Sequence, residues 1–178
     1  MEKESGGYDP KKDIGATIRF LNGILEKRDT FARHIDSQVQ ILIGLSSATF
    51  LFSGSNLLGK EPGVEIAWLV LGTFAALAAL VGLLAIHPPR FMRKRGQNES
   101  LMYNKKISSF ASSSKYEEEL RRVVGDQDAL IKQYSIEIYN LSKYYYQPKR
   151  KLFRISRNLY FAGIGLSLTL LIFAFFAS

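Results

Sequence analysis

Two stretches of this chain, Ile66 to Ile86 and Leu159 to Ala177, contain no Asp, Glu, Lys or Arg and are apolar on every side. Each has the ~20 residues needed to cross the hydrocarbon core of a bilayer. A core helix in a soluble protein of 178 residues keeps a polar side toward water, so both stretches read as membrane spans. A third stretch, Val39 to Leu58, is interrupted by Gln40, Ser46, Ser47, Thr49, Ser53, Ser55 and Asn56, but by no charge. Hydroxyls can bond back to helix carbonyls, which makes them far cheaper in lipid than ions, and this stretch reads as a further span. The long polar segment ahead of it separates it from a cleaved signal, whose apolar region lies close to the N-terminus. The expected fold is an all-α membrane protein with three transmembrane helices and a small cytoplasmic helical domain. Its divisions are an amphipathic N-terminal helix in 1–38, transmembrane helices at 39–58, 66–86 and 159–177, and a cytoplasmic helical region at 87–158.

Orientation follows from the distribution of Lys and Arg. Residues 1–38 hold seven, 53–65 hold only Lys60, and 87–158 hold sixteen. The loop with the single lysine belongs outside, which places the N-terminus and the long middle segment in the cytoplasm and Ser178 on the far side. The net charge of +8 then lies mainly beside an anionic inner leaflet. The clusters Arg93-Lys94-Arg95 and Lys149-Arg150-Lys151 are read as facing lipid headgroups rather than a nucleic acid polymer. Absence of cysteine excludes disulfides, thiolate metal sites and a cysteine nucleophile.

On the cytoplasmic side, Ile14, Ile18, Leu21, Leu25, Ala32 and Ile35 recur at helical spacing, so an amphipathic helix is expected to run straight into the first span. His87-Pro88-Pro89-Arg90 ends the second span, because proline lacks the amide hydrogen that would continue the helix. Leu101 to Phe110 and Ser114 to Val124 read as two short helices, the latter opening with Ser114 and Glu117 in capping-box spacing. Gly125 ends it and Asp126 caps the next. Ile131, Tyr134, Ile138, Leu141 and Tyr145 then make a heptad seam about two repeats long, suited to packing within the chain or between subunits. Pro148 breaks or restarts the helix before the last basic collar and span.

A search for chemistry finds little. His34 and His87 have no partner in metal-ligand spacing, and no phosphate loop, nucleophile elbow or paired-histidine motif occurs. Glu117, Glu118 and Glu119 point around a helix and read as a solvated face. No enzyme activity, metal or cofactor is expected. The first span is more informative. At about 100 degrees per residue, Gln40, Gly44, Ser47 and Gly54 fall on one side, with Ser46, Thr49, Ser53 and Asn56 opposite. One stripe can pack on the small-residue ridges Gly72 to Ala76 and Ala75 to Ala79 of the second span. The other needs water or a neighbouring subunit, which makes Gln40, Gly44, Ser47 and Gly54 a candidate pore or packing face in a homo-oligomer.

The order of parts is also distinctive. His34-Ile-Asp-Ser-Gln38 leads into the serine-rich span, and His-Pro-Pro-Arg follows the second span. Asn98-Glu-Ser-Leu-Met-Tyr103, Ser114-Lys-Tyr-Glu-Glu119, Asn140-Leu-Ser-Lys143 and the closing collar and span come next. This ordered set, from about Thr30 to Phe176, resembles the membrane effectors of bacterial Pycsar anti-phage systems. The Asp that the family carries before its first span corresponds to Asp36. A basic residue commonly found shortly after it is Gln38 here, so the resemblance does not carry a charge-pairing role at this border over to this chain.

The resemblance implies a partner nucleotide cyclase that makes a cyclic pyrimidine mononucleotide, cCMP or cUMP, on infection. It further implies an effector whose 87–158 region senses that ligand and which disrupts or permeabilises the inner membrane, causing abortive infection. A phosphate sensor needs cationic donors and an aromatic platform for the base. Lys105, Lys106, Arg121 and Arg122, beside Tyr103 and Tyr116, are the candidates for that role. The competing readings are a SLATT-type membrane effector answering another nucleotide and a constitutive small channel or membrane scaffold without a ligand.

Overall fold

The computed structural model describes residues 14–57, 62–89, 92 and 99–177. Lys60, Arg90, the Arg93-Lys94-Arg95 cluster, Asn98 and Ser178, as well as Leu58 at the end of the expected first span, lie outside the described residues. The protein is an all-α membrane protein, with no strand among the described residues. Its helices are α1 (Ile14–Ser55), α2 (Pro62–Ile86), α3 (Asn104–Ile107), α4 (Ser113–Val124), α5 (Gln127–Asn140) and α6 (Gln147–Ala177). A π-helical turn, Leu141–Tyr146, joins α5 to α6.

The described chain divides into two compact units, one from residues 14–30 and 99–143, the other from 31–57, 62–89, 92 and 144–177. Three helices, α1, α2 and the run ending in α6, are long and apolar enough to cross a membrane. α1 has 42 residues, about twice what the hydrocarbon core takes up. Its polar side chains are largely returned to its own backbone: Ser53 Oγ donates to the Thr49 carbonyl at 2.8 Å, and Ser55 Oγ and Asn56 Nδ2 donate to that of Phe52 at 2.8 and 2.9 Å. Thr73 and Thr169 do the same in α2 and α6. This internal satisfaction lets serine-rich helices stand in lipid.

In the second unit, the later part of α1 packs with α2 and α6. Contacts between Ile43 and Gly82, Ser53 and Gly72, and Phe52 and Trp68 make α1 and α2 antiparallel. Phe74 against Gly163 and Ala174 against Gly63 make α2 and α6 antiparallel as well. Glycine is required at Gly163, where a Cβ would overlap that of Phe74, and at Gly82, where it would stand 2.8 Å from Ile43 Cγ1. Lipid supplies no hydrophobic drive between helices, so close backbone approach of this kind does the holding. Gly72 meets α1 as its small-residue ridge predicts. Outside the bundle, Ile41, Leu45, Phe50, Leu80, Leu83, Phe161, Leu168 and Phe173 are exposed, the composition a lipid-facing surface needs.

The first unit differs in two places from the sequence expectation. The stretch Leu101 to Phe110 contains a single helical turn, α3, because Ser108 and Ser109 hydroxyls take the carbonyls of Lys105 and Lys106. The cap of α4 is Ser112 rather than Ser114, its Oγ accepting from the Lys115 N–H at 3.3 Å. Ser112 is the serine with extended backbone, the geometry a cap needs. Asp126 caps α5 through the N–H groups of Asp128 and Ala129, as its position after Gly125 suggests. The π-helical turn precedes Pro148. Its wider spacing relieves the clash that the proline ring makes with the carbonyl four residues back. The helix therefore continues through Pro148.

Candidate functional site

The polar features of the bundle sort by direction. Ser46, Ser53 and Ser156 are fully or almost fully buried, and Thr49 hydrogen-bonds Tyr160 Oη at 3.0 Å. Ser156 Oγ donates to the Ala78 carbonyl at 2.7 Å, tying α6 to α2. One polar stripe of α1 is thus absorbed inside the chain. The opposite row, Gln40, Gly44, Ser47 and Gly54, is exposed on the outside of the bundle. Added Cβ atoms at Gly44 and Gly54 would meet nothing within 4 Å. The Ser46 hydroxyl has no hydrogen-bond partner among the described residues. An unsatisfied buried hydroxyl costs stability, so Ser46→Ala should raise the denaturation midpoint by the equivalent of about 1 kcal/mol, measured by unfolding in detergent.

At the end of the bundle nearest His87, α1 and α6 are joined by an ion pair that sequence reasoning missed. Lys149 Nζ lies 2.5 Å from Asp36 Oδ1. The lysine is 1% exposed and its ammonium sits 5.3 Å from the centroid of the Tyr145 ring. This corrects the reading of Lys149 as part of a headgroup-facing collar. Arg150 and Lys151 are exposed, but Lys149 turns inward beside the cluster of Ile35, Val39, Ala85 and Leu152. A cation so buried persists only when paired, and a carboxylate with an aromatic face supplies that pairing. Gln38 faces away, with Nε2 3.0 Å from His34 Nε2.

In the first unit, the turn at Ser100 and Leu101 is knitted onto α5. Gln133 Oε1 accepts from the Leu101 N–H at 2.9 Å, and buried Ser100 donates to Glu137. Tyr116 Oη donates to the Leu101 carbonyl at 3.3 Å, and Tyr134 Oη donates to Asn22 Oδ1 at 3.0 Å. Of the six residues read as ligand candidates, Tyr103, Lys105 and Lys106 are exposed, and Tyr116 is half-buried with its ring edge-on to Phe110. Arg121 and Arg122 are exposed and paired within α4, to Glu117 and Glu119 respectively. Lys106 Nζ stands 5.9 Å from the Phe110 centroid. Phe110 therefore gathers Lys106 and Tyr116 around itself. It also walls an open hollow of about 590 Å³ with Lys115, Glu118, Glu119 and Arg122. Tyr103, Lys105 and Arg121 do not line it. Phe110 escaped the sequence reading because it was counted as the end of a helix.

Among the described residues no group of His, Asp or Glu is placed to hold a metal ion. A family model described as the Pycsar effector protein domain matches residues 20–178, well over half of the chain. No curated protein and no solved structure matches it. With three helices fit to cross a membrane and a match running from α1 through the end of α6, the chain belongs to the Pycsar effector family, the membrane effectors of an anti-phage defence system.

Proposed function

We propose that this effector is a non-enzymatic, cyclic-nucleotide-gated agent of membrane damage. Its cytoplasmic unit senses a cyclic pyrimidine mononucleotide, cCMP or cUMP, made by a partner cyclase, and its bundle then permeabilises the inner membrane to cause abortive infection. The N-terminus is cytoplasmic, in keeping with the scarcity of Lys and Arg between the first two spans. The observation that carries the reading is the exposed row Gln40, Gly44, Ser47 and Gly54 on a helix whose other outward residues suit lipid. An amide and a hydroxyl on that surface are best satisfied by water in a shared conduit or by a second copy of the chain. Small residues in the same row permit the close approach an oligomer needs.

Replacing Gln40 and Ser47 together by leucine makes the row uniformly apolar without touching the packed interior. The double variant should insert normally and lose most of its leakage from dye-loaded liposomes under activating conditions. Leakage equal to the parent protein would remove this face from the mechanism.

A further inference from the structure

A furrow opens on the outside of the bundle between α1 and α2. Its floor is the contact of Ser53 with Gly72, both buried, and its rims are Phe50, Leu69 and Leu77, all exposed. Gly54 keeps it open on the α1 side, where an added Cβ would meet nothing within 4 Å. Along α2 the furrow runs from Trp68 to Leu77, about 14 Å at the helical rise, close to half of the ~30 Å hydrocarbon core. Trp68 stands near the start of the uncharged stretch Ile66 to Ile86 and Leu77 near its middle, so the furrow occupies a single leaflet, the one farther from His87. Its volume of about 290 Å³, spread over that length, gives roughly 20 Å² in section, the gauge of one hydrocarbon chain and far too narrow for a helix of about 10 Å diameter. The two hydroxyls in its lining are engaged. Ser53 donates to the Thr49 carbonyl and Thr73 to that of Leu69, each at 2.8 Å, which leaves neither proton for a polar ligand.

We propose that this furrow is a lipid site, seating one acyl chain of a phospholipid from that leaflet. An apolar furrow left unfilled forfeits the dispersion contacts of its lining atoms, and a hydrocarbon chain restores them. Trp68 fixes the direction of the lipid. Tryptophan settles at headgroup level, and this ring is held edge-on to Phe52 with centroids 5.5 Å apart, so the glycerol end lies beside Trp68 and the methyl end reaches toward Leu77. A chain so placed touches both helices and holds α1 and α2 at their present separation. Gly54 also ends the exposed row of α1, so the lipid covers that end and leaves Gln40, Gly44 and Ser47 for the conduit or a second copy. The site does not depend on what the cytoplasmic unit binds.

Trp68 is the only tryptophan in the chain, so tryptophan fluorescence reports on the furrow alone. The test adds phosphatidylcholine with dibrominated acyl chains to the purified full chain in detergent micelles and follows quenching. This lipid has no net charge, so the basic collar does not gather it. Quenching should saturate at an equimolar ratio of lipid to chain, and should be deeper with bromines close to the headgroup than with bromines at the methyl end. Gly54→Leu fills the furrow and should remove most of the saturable quenching. Gly44→Leu, in the same row of α1 and equally open but outside the furrow, should leave it unchanged. Helical content and melting of each variant, followed by circular dichroism, separate lost seating from lost folding. Quenching that rises without saturating, or that is equal in the parent and Gly54→Leu, would reduce the furrow to ordinary lipid contact and overturn the proposal. Protection of Trp68 that grows as the chain self-associates would overturn it too, by giving the furrow to a second copy.

Discussion

Lys149→Ala should be among the most damaging single substitutions in this protein, lowering the stability of the bundle by about 3 kcal/mol, the lower end for breaking a buried ion pair. The lysine is almost wholly enclosed, whereas the Asp36 side chain keeps 33% of its exposure, so water partly compensates the carboxylate left behind. Asp36→Ala should cost more than Lys149→Ala, because it strands the buried charge of the pair. The double variant Asp36→Asn with Lys149→Met removes both charges and leaves side chains of similar size. It should recover much of the loss, since replacing both members of a buried pair is often neutral. Unfolding titrations in mixed micelles give all four midpoints. Equal midpoints for the parent and Lys149→Ala would mean that the pair contributes nothing to holding α1 against α6.

Gly163→Val should be comparably severe. A Cβ at this position already overlaps Phe74, with the Phe74 Cα only 3.7 Å away, so the backbone of α2 and not merely a side chain would have to move. Overpacking of a tight contact costs typically about 1–3 kcal/mol. Here a branched side chain also separates two helices whose association depends on close approach. Gly165, two residues along the same helix, faces open space, and Gly165→Ala should leave the midpoint within about 0.5 kcal/mol of the parent, as surface changes usually do. Thermal melts of the two variants in the same detergent test the contrast. Equal effects at Gly163 and Gly165 would contradict the packing of α2 on α6.

The membrane character was legible because hydropathy needs only local sequence. Runs such as that from Ile66 to Ile86 have no other comfortable environment, and the polarity of the first span resolved into two stripes before any packing was known, though which of them packs inward is decided by the neighbouring helices. Lys149 was not legible. Its neighbours Arg150 and Lys151 are exposed, so the trio reads as a collar, and its partner lies on a distant helix. The α4 cap was misread by two residues because Ser112, Ser113 and Ser114 are adjacent. Tertiary geometry, not residue type, decides which of them has an extended backbone. The length of α3 was overestimated for a related reason. Ser100 and Leu101 are drawn onto Gln133 and Glu137 of α5, contacts over thirty residues apart that no local pattern announces. The candidate ligand residues were chosen as cations beside aromatics. That rule passed over Phe110, which was counted as the end of a helix and stands beside Lys106 and Tyr116.

The central claim, that a cyclic nucleotide gates membrane damage, is tested most directly by dye leakage from liposomes carrying the purified chain. Leakage is recorded without ligand and with each member of a panel of cyclic mononucleotides and dinucleotides. The account predicts tight vesicles until a cyclic pyrimidine mononucleotide is added, followed by release. Release that begins without ligand and ignores every nucleotide, or vesicles that stay sealed throughout, would contradict it.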